Sequence, residues 1–330
     1  MSRGALARLG SVEDLPAELA GGVVAVGNFD GVHRGHQAVF AAARQIAAAD
    51  RRPLVCLTFE PHPRTVFSPD QPVARLTPAP MKARLLEALG FDAVVEQPFD
   101  RAFAARDPDD FVAKVLVESL RASHVVAGFD FHYGARRGGT PQTLAASGER
   151  IGFGTTLVPA LADEAGETVS SSRIRALLAH GEADAAAALF GYRWTIRGTI
   201  GKGAQIGRTL GYPTANMTLE PETLLAHGIY AVRLRRADGS LHDGVASFGR
   251  RPTFDDGPAL FETFLFDFSG DLYGETVDVS IFGFLRGEQR FDSAAALVEQ
   301  MDEDSRQARA MLAAAAPLSD LDRAIAFPGG

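Results

Sequence analysis

Partway along this chain the spacing of its apolar residues changes, and few architectures accommodate both halves. In the first half, short apolar runs alternate with longer helix-like segments. The runs are GVVAVG (22–27), PLVCLTF (53–59), DAVVEQPF (92–99), HVVAGF (124–129) and TTLVPAL (155–161). Between them stand GHQAVFAAARQIAAAD (35–50), MKARLLEALG (81–90) and DPDDFVAKVLVESL (107–120). Strands that are apolar almost throughout are buried on both faces, which predicts a parallel sheet covered by helices. SSSRIRALLAHG (170–181) and EADAAAALFG (182–191) add two short helices, each ended by glycine. From Tyr192 onward the pattern is β-like, as in YAVRLRR (230–236), ALFETFLFDF (259–268) and TVDVSIFGFL (276–285). A helical pattern returns only at SAAALVEQMDEDSRQARAML (293–312). This half predicts an antiparallel sheet or small barrel closed by one C-terminal helix. The 330 residues are enough for two cores, with the expected boundary at Gly191: an α/β domain over 1–191 and a β domain over 192–330.

Composition narrows the function. A formal charge of -8 argues against general nucleic-acid binding, which needs clustered cations to neutralise phosphates. Cys56 is the only cysteine, so an internal disulfide and a multi-cysteine zinc site are excluded. No apolar run is long enough to span a bilayer, and the opening MSRGALARLGSVEDLPAELA carries acids and lacks a signal-peptide core. The expectation is a cytoplasmic protein without membrane or nucleic-acid partners, a monomer or weak oligomer acting on small molecules.

The first chemical signal is GNFDGVHRGHQ (27–37), which follows the first strand of the α/β half and opens its first helix. Open α/β sheets bind ligands at this carboxyl edge. Gly27 and Gly31 allow a tight turn, and Gly35 allows close approach at the helix start, where unpaired N–H groups and the helix dipole favour a phosphate. His33 and His36 could donate hydrogen bonds to phosphoryl oxygens. They could also be core histidines, or ligate a metal with His62, but no further ligand stands at typical spacing.

The stretch is similar to the HxGH signature of the nucleotidyltransferases. In its longer form it resembles the adenylyltransferase half of bacterial bifunctional riboflavin kinase/FAD synthetases. TFEPHPR (58–64), GFDFHYGARRGGT (128–140) and VSSSRIR (169–175) resemble the same family. The resemblance implies that FMN attacks the α-phosphorus of ATP with pyrophosphate leaving. His33 and His36 would stabilise charge with help from Mg²⁺, and Gly27, Asn28, Phe29, Asp30, Gly35 and Asp130 would surround the nucleotide or flavin. Ser171 and Ser172 would cap the following helix and Arg175 would reach the phosphates; Arg173 could do so instead, though the motif spacing favours Arg175. His132 stands where the family often has arginine.

A second signal is GTIGKGAQIGRTLGYPTANM (198–217), rich in glycine with basic Lys202 and Arg208 but lacking a Walker A pattern. Thr214 and Asn216, two residues apart, would share a face if extended and offer neutral oxygens to Mg²⁺. The run resembles the riboflavin kinase signature GxxxxGRxLGxPTAN. That implies metal and ATP binding by Thr214 and Asn216, with Gly201, Lys202, Gly203, Arg208 and Pro213 around the phosphates. In FETFLFDF, a strand would put Glu262 on one face with Phe264, Phe266 and Phe268. A carboxylate there is costly unless paired or working, and desolvation would make it a better base; an edge-strand glutamate reaching water is the alternative. The resemblance makes Glu262 the base for the riboflavin 5′-hydroxyl and sets Arg286 near the flavin, although Arg286 could equally be a solvated surface residue. One departure stands in ASFGRRPTF (246–254), where Ser247 and Phe248 replace an asparagine and an aliphatic residue.

The reading is therefore a bifunctional enzyme, with riboflavin, FMN, FAD and ATP as substrates and products. Its rivals are a nucleotidyltransferase for another phosphorylated acceptor and a non-catalytic flavin-binding regulator.

Overall fold

A computed structural model describes residues 5–202, 212–220, 222–249 and 259–328. Gly203, Arg208 and most of GRRPTF therefore lie outside the described residues. The chain divides into two compact units, Met1–Ser170 and Ser171–Gly330. Among the described residues no helix is long and apolar enough to cross a membrane.

The first unit is built on a six-stranded parallel sheet, from β1 (Ala7–Leu9), β2 (Val23–Val26), β3 (Leu54–Glu60), β4 (Ala93–Pro98), β5 (His124–Gly128) and β6 (Gly154–Val158). The strand order is β1-β4-β3-β2-β5-β6. All of β2 is buried, as continuous apolar strands require. Chain order runs outward from β2 through β3 to β4 on one side and through β5 to β6 on the other. The carboxyl ends of β2 and β5 thus form a switch point, where such sheets bind ligands.

Helices α1 (Arg34–Asp50), α2 (Pro63–Phe67), α3 (Ala79–Ala88), α4 (Arg101–Ala104), α5 (Pro108–Asp110) and α6 (Pro141–Ile151) accompany the sheet. Buried Val39, Phe40, Ala43 and Ala47 mark the inward stripe of α1. Where one α-helix was expected over 107–120, α5 runs on into a π-helical Phe111–Ser119, whose wider winding still buries Phe111, Val112, Val115 and Leu116. Helix α6, buried along Pro141, Leu144, Ser147 and Gly148, was not among the expected helices. It is fixed at its ends by a Thr140–Thr143 capping box, Pro141 in its first turn, and Gly152 in the left-handed region.

The second unit opens with α7 (Ser171–Ala179) and α8 (Ala183–Phe190), followed by six antiparallel strands. These are β7 (Thr195–Thr199), β8 (Thr214–Thr218), β9 (Gly228–Arg235), β10 (Leu241–Gly249), β11 (Leu260–Leu265) and β12 (Thr276–Arg286), in the order β7-β12-β9-β10-β11-β8. The ends of the series approach each other, since Gly201 N–H donates to the Asn216 carbonyl at 2.8 Å. The sheet is a nearly closed barrel. Ala226 N–H donates to the Leu178 carbonyl, so α7 packs with the barrel, and Gly191 falls inside this unit.

The expected single C-terminal helix is two. Helix α9 (Ala294–Ala314) lies over β9, β10 and β12, and α10 (Asp320–Ala326) follows it. The seam between helices and barrel buries Ala231, Phe266, Phe282, Ala308, Leu312, Ala326 and Phe327. Buried Arg193 is ion-paired with fully buried Asp322 and sits 4.3 Å from the Phe282 ring centroid, while Arg235 donates to the Ile325 and Phe327 carbonyls. These contacts hold a seven-residue helix too short to stand alone.

Candidate active sites

Between β2 and α1 the backbone is strained in a defined way. Phe29, Gly31 and Val32 all have positive φ, at 48, 94 and 42°. Phe29 and Val32 hold such angles because both are buried, at 3% and 0% exposure. The Phe29 ring folds back over Gly27, where an added Cβ would lie 2.9 Å from it. Gly27 thus serves close approach, and Gly31 serves the turn.

The loop delivers two imidazoles to the start of α1. His33 is the N-cap; its Nδ1 accepts from the His36 N–H at 3.4 Å, a long capping bond. The two rings stack at 3.6 Å with 19° between planes, and Phe29 meets His36 edge-on at 5.3 Å. Desolvation, then the neighbouring His33 and the Lys82 charge, hold His36 well below the ordinary histidine pKa. The neutral ring leaves its Nδ1 buried without a protein hydrogen bond. At Gly35 a Cβ would come within 3.2 Å of the His33 ring, so the helix start stays bare as expected.

A polar floor supports this loop. Lys82, 2% exposed, donates to the Asn28 carbonyl at 3.0 Å, Thr58 Oγ1 at 2.9 Å and Glu60 Oε1 at 3.1 Å. Burial pushes the Glu60 carboxyl up, but Lys82 and Arg75 outweigh it and leave its pKa lowered. Asp30, expected among the nucleotide contacts, directs its carboxylate to the N–H groups of Leu76 and Thr77, at 3.0 Å each. These bonds tie the loop to the segment ahead of α3 and give its buried amides an acceptor. Sequence reasoning marked Thr58 and Glu60 only as part of TFEPHPR, with no role, and did not find Arg75, Thr77 or Lys82. The available signal was Lys82, a lone charge on the stripe with Leu85 and Leu86.

Asn28 and Asp130 are exposed. Asp130 lies in the turn after β5, and β2 pairs with β5 through Val26 and Ala127, so both segments leave the same sheet edge. Ser171, Ser172 and Arg175 lie on α7, and VSSSRIR spans the division between the units. The helix begins at Ser171, so the two serines form its first turn rather than preceding it as caps.

In the barrel, register assembles the second site. Asn216 on β8 pairs with Glu262 on β11, Glu262 with Ser247 on β10, Ser247 with Ile229 on β9, and Ile229 with Arg286 on β12. Directly opposed residues share a face, so these five form one row across the sheet. Thr214 pairs with Phe264 on the same face. Asn216 is 7% exposed; its Nδ2 donates to the Thr214 carbonyl at 3.3 Å, and its Oδ1 is buried without a partner. A neutral, desolvated oxygen beside Thr214 fits a hard cation. Gly201 and Lys202 are exposed beside the Asn216 backbone, and Pro213 is exposed ahead of β8.

Glu262 is half-buried on a strand flanked on both sides, which removes the edge-strand alternative. Of the three phenylalanines expected beside it, Phe264 alone shares the strand. β11 ends at Leu265, and Asp267 turns the chain with φ 54°, so Phe266 and Phe268 leave the alternation. Arg286, expected at the flavin, clamps Asp304 of α9 through Nε at 2.8 Å and Nη2 at 2.7 Å and donates Nη1 to the Gly287 carbonyl. Asp304 is buried and Arg286 half-buried, so the bidentate pair is a charge-assisted one that fixes the guanidinium against α9.

The pattern of similarity follows the same division. Residues 15–173 match the family model for FAD synthetase and residues 190–312 that for riboflavin kinase. A bifunctional riboflavin kinase/FMN adenylyltransferase of Listeria monocytogenes is 39% identical over 294 residues, covering 88% of this chain and 92% of its own length. The Escherichia coli protein of the same name is 36% identical over 289 residues, again covering 88% and 92%. A solved Streptococcus pneumoniae structure described as a macrolide-efflux protein superposes with TM-score 0.80 at 32% identity, over 92% of this chain and 99% of that one. Two site-bearing halves, matched in order and along most of their length, make this chain a member of the bifunctional riboflavin kinase/FMN adenylyltransferase family.

Proposed function

We propose that this chain makes FMN from riboflavin and FAD from FMN, with adenylyl transfer assigned to residues 1–191 and phosphoryl transfer to 192–330. The limits of the two family matches, at 173 and 190, support that assignment. The observation that carries the kinase half is the pairing of Glu262 with Asn216, whose Oδ1 is a buried acceptor without a partner.

In the kinase step Glu262 accepts the proton of the riboflavin 5′-hydroxyl as its oxygen attacks the γ-phosphorus of ATP, and ADP departs. Asn216 Oδ1 and the Thr214 hydroxyl would hold Mg²⁺, which supplies charge neutralisation at the phosphates. Gly201 N–H anchors the Asn216 carbonyl and fixes the strand that carries both ligands.

In the adenylyl step an FMN phosphate oxygen attacks the α-phosphorus of ATP, and pyrophosphate leaves. The start of α1, the positive end of the helix dipole, receives phosphate oxygens, and a neutral His36 can donate one hydrogen bond. Lys82 supports the loop from below with a fixed positive charge. No protein nucleophile is needed, since positioning and electrostatics carry the reaction. The proposal places the chain in the cytoplasm, where ATP is at hand, as a monomer or weak oligomer whose partners are its small-molecule substrates.

The test is Asn216→Ala assayed for both products. The Mg²⁺ concentration needed for FMN formation should rise about ten-fold or more, while FAD formation from supplied FMN stays within about two-fold. An unchanged Mg²⁺ dependence would remove Asn216 from the metal site.

A further inference from the structure

We infer that Tyr212 is a positioning residue for phosphoryl transfer: its ring against Phe264 and its hydroxyl bond to Asp302 of α9 hold the strand that presents Thr214 and Asn216 to Mg²⁺. The inference rests on the reading of those two residues as metal ligands, and it starts from how β8 is held. This strand has five residues, ends the series, and forms a ladder with β11 alone. On its other side, among the described residues, it is tied at the single Gly201–Asn216 bridge. An end strand paired along one side opens more readily than an inner one, so ligands placed on it need support from outside the ladder.

Tyr212 stands just ahead of the strand and is buried, at 9% exposure. Its ring lies 4.6 Å from that of Phe264, the residue directly opposed to Thr214. Its hydroxyl donates to the Asp302 carboxylate, a charge-assisted bond, and Ser305, three residues further along α9, reaches the same hydroxyl. Asp302 is itself held in place. Gln300 and Arg286 of β12 both grip Asp304, at 3.0 and 2.7 Å, which fixes this part of α9 to the barrel, and Arg306 pairs with Glu303. Between anchor and ligand there is little slack. Pro213 fixes its own φ and restricts Tyr212 to extended conformations, so the placing of the Tyr212 ring sets the direction in which Thr214 enters β8.

Tyr212→Phe keeps the ring and removes the hydroxyl bond. The Mg²⁺ concentration that half-saturates FMN formation should rise about five-fold, while kcat at saturating Mg²⁺ stays within about two-fold, because strand order lost with the hydroxyl is regained on metal binding. Without nucleotide, amide hydrogen exchange in β8 should quicken about five-fold, and Mg²⁺ with ADP should return it to the parent rate. Asp302→Ala should reproduce both shifts. Asp302→Asn, which keeps an acceptor oxygen, should stay near the parent, and Tyr212→Phe combined with Asp302→Ala should be no worse than either alone. FAD formation from supplied FMN, measured on the same samples, should be unchanged and reports that each variant is folded. An unmoved Mg²⁺ requirement or unmoved β8 exchange in Tyr212→Phe overturns the proposal, as does a loss that saturating Mg²⁺ does not recover or an additive effect in the combined variant. Asn216→Ala keeps the two readings apart. If its Mg²⁺ requirement is unchanged, the metal assignment itself fails; if it rises while that of Tyr212→Phe does not, only the role of Tyr212 falls.

Discussion

At Lys82 a positive charge sits in the interior with a backbone carbonyl, a hydroxyl and a carboxylate around it, the carbonyl belonging to the strained loop itself. Removing one member of a buried charged cluster leaves the rest uncompensated. Lys82→Met should lower unfolding free energy by about 3 kcal/mol in denaturant titrations and reduce FAD formation, while FMN formation persists. His36 gives a pH dependence of defined sign. The folded protein holds this imidazole well below the ordinary value, whereas the unfolded chain titrates near about 6.5. The unfolded state therefore binds more protons below that pH, so the stability contribution is complete above about pH 6.5 and declines as pH falls. The thermal midpoint should drop less between pH 7.5 and 5.5 in His36→Asn than in the parent; equal drops would show that His36 is not the titrating group. His33, His36, Asn216 and Glu262 could be singled out as candidates because they stand in local motifs. Lys82 and the contact of Asp30 with Leu76 and Thr77 could not, since Asn28 and Lys82, like Asp30 and Leu76, are about fifty residues apart in the chain.

Whole elements show where a periodic reading succeeds. The largely buried β2–β5 strands and the inward stripe of α1 carry patterns dictated by burial, and they lie within two residues of expectation. β7, β8 and β10 read TIRGT, TANMT and LHDGVASFG; their polar and glycine content conceals a strand whose outer face works or meets solvent. The register that aligns Asn216, Glu262 and Ser247 is a relation between strands and has no signature within any one of them. Helix α10 was missed because it is held by distant charges. Arg193 is desolvated and its pKa lowered, with Asp322 opposing that shift. Asp322→Asn leaves the guanidinium buried without its anion and should cost about 3 kcal/mol, seen as a lower denaturation midpoint. A change under about 0.5 kcal/mol would mean that solvent reaches Arg193 in its place.

For the molecule as a whole, the change of period near Tyr192 separates two fold classes, and each carries one arrangement for ATP chemistry. In the proposed reading the helix start at His33 and His36 serves attack at the α-phosphorus, and the barrel row at Asn216 and Glu262 attack at the γ-phosphorus. If each half performs its own step, either reaction can be removed alone. The direct measurement is product-resolved chromatography of Glu262→Gln and His36→Ala beside the parent, each given riboflavin or FMN with ATP and Mg²⁺. Glu262→Gln should lose about 10²–10⁴-fold in FMN formation and still convert FMN to FAD, while His36→Ala should make FMN normally and lose FAD. Parallel loss of both products in either variant would contradict the account.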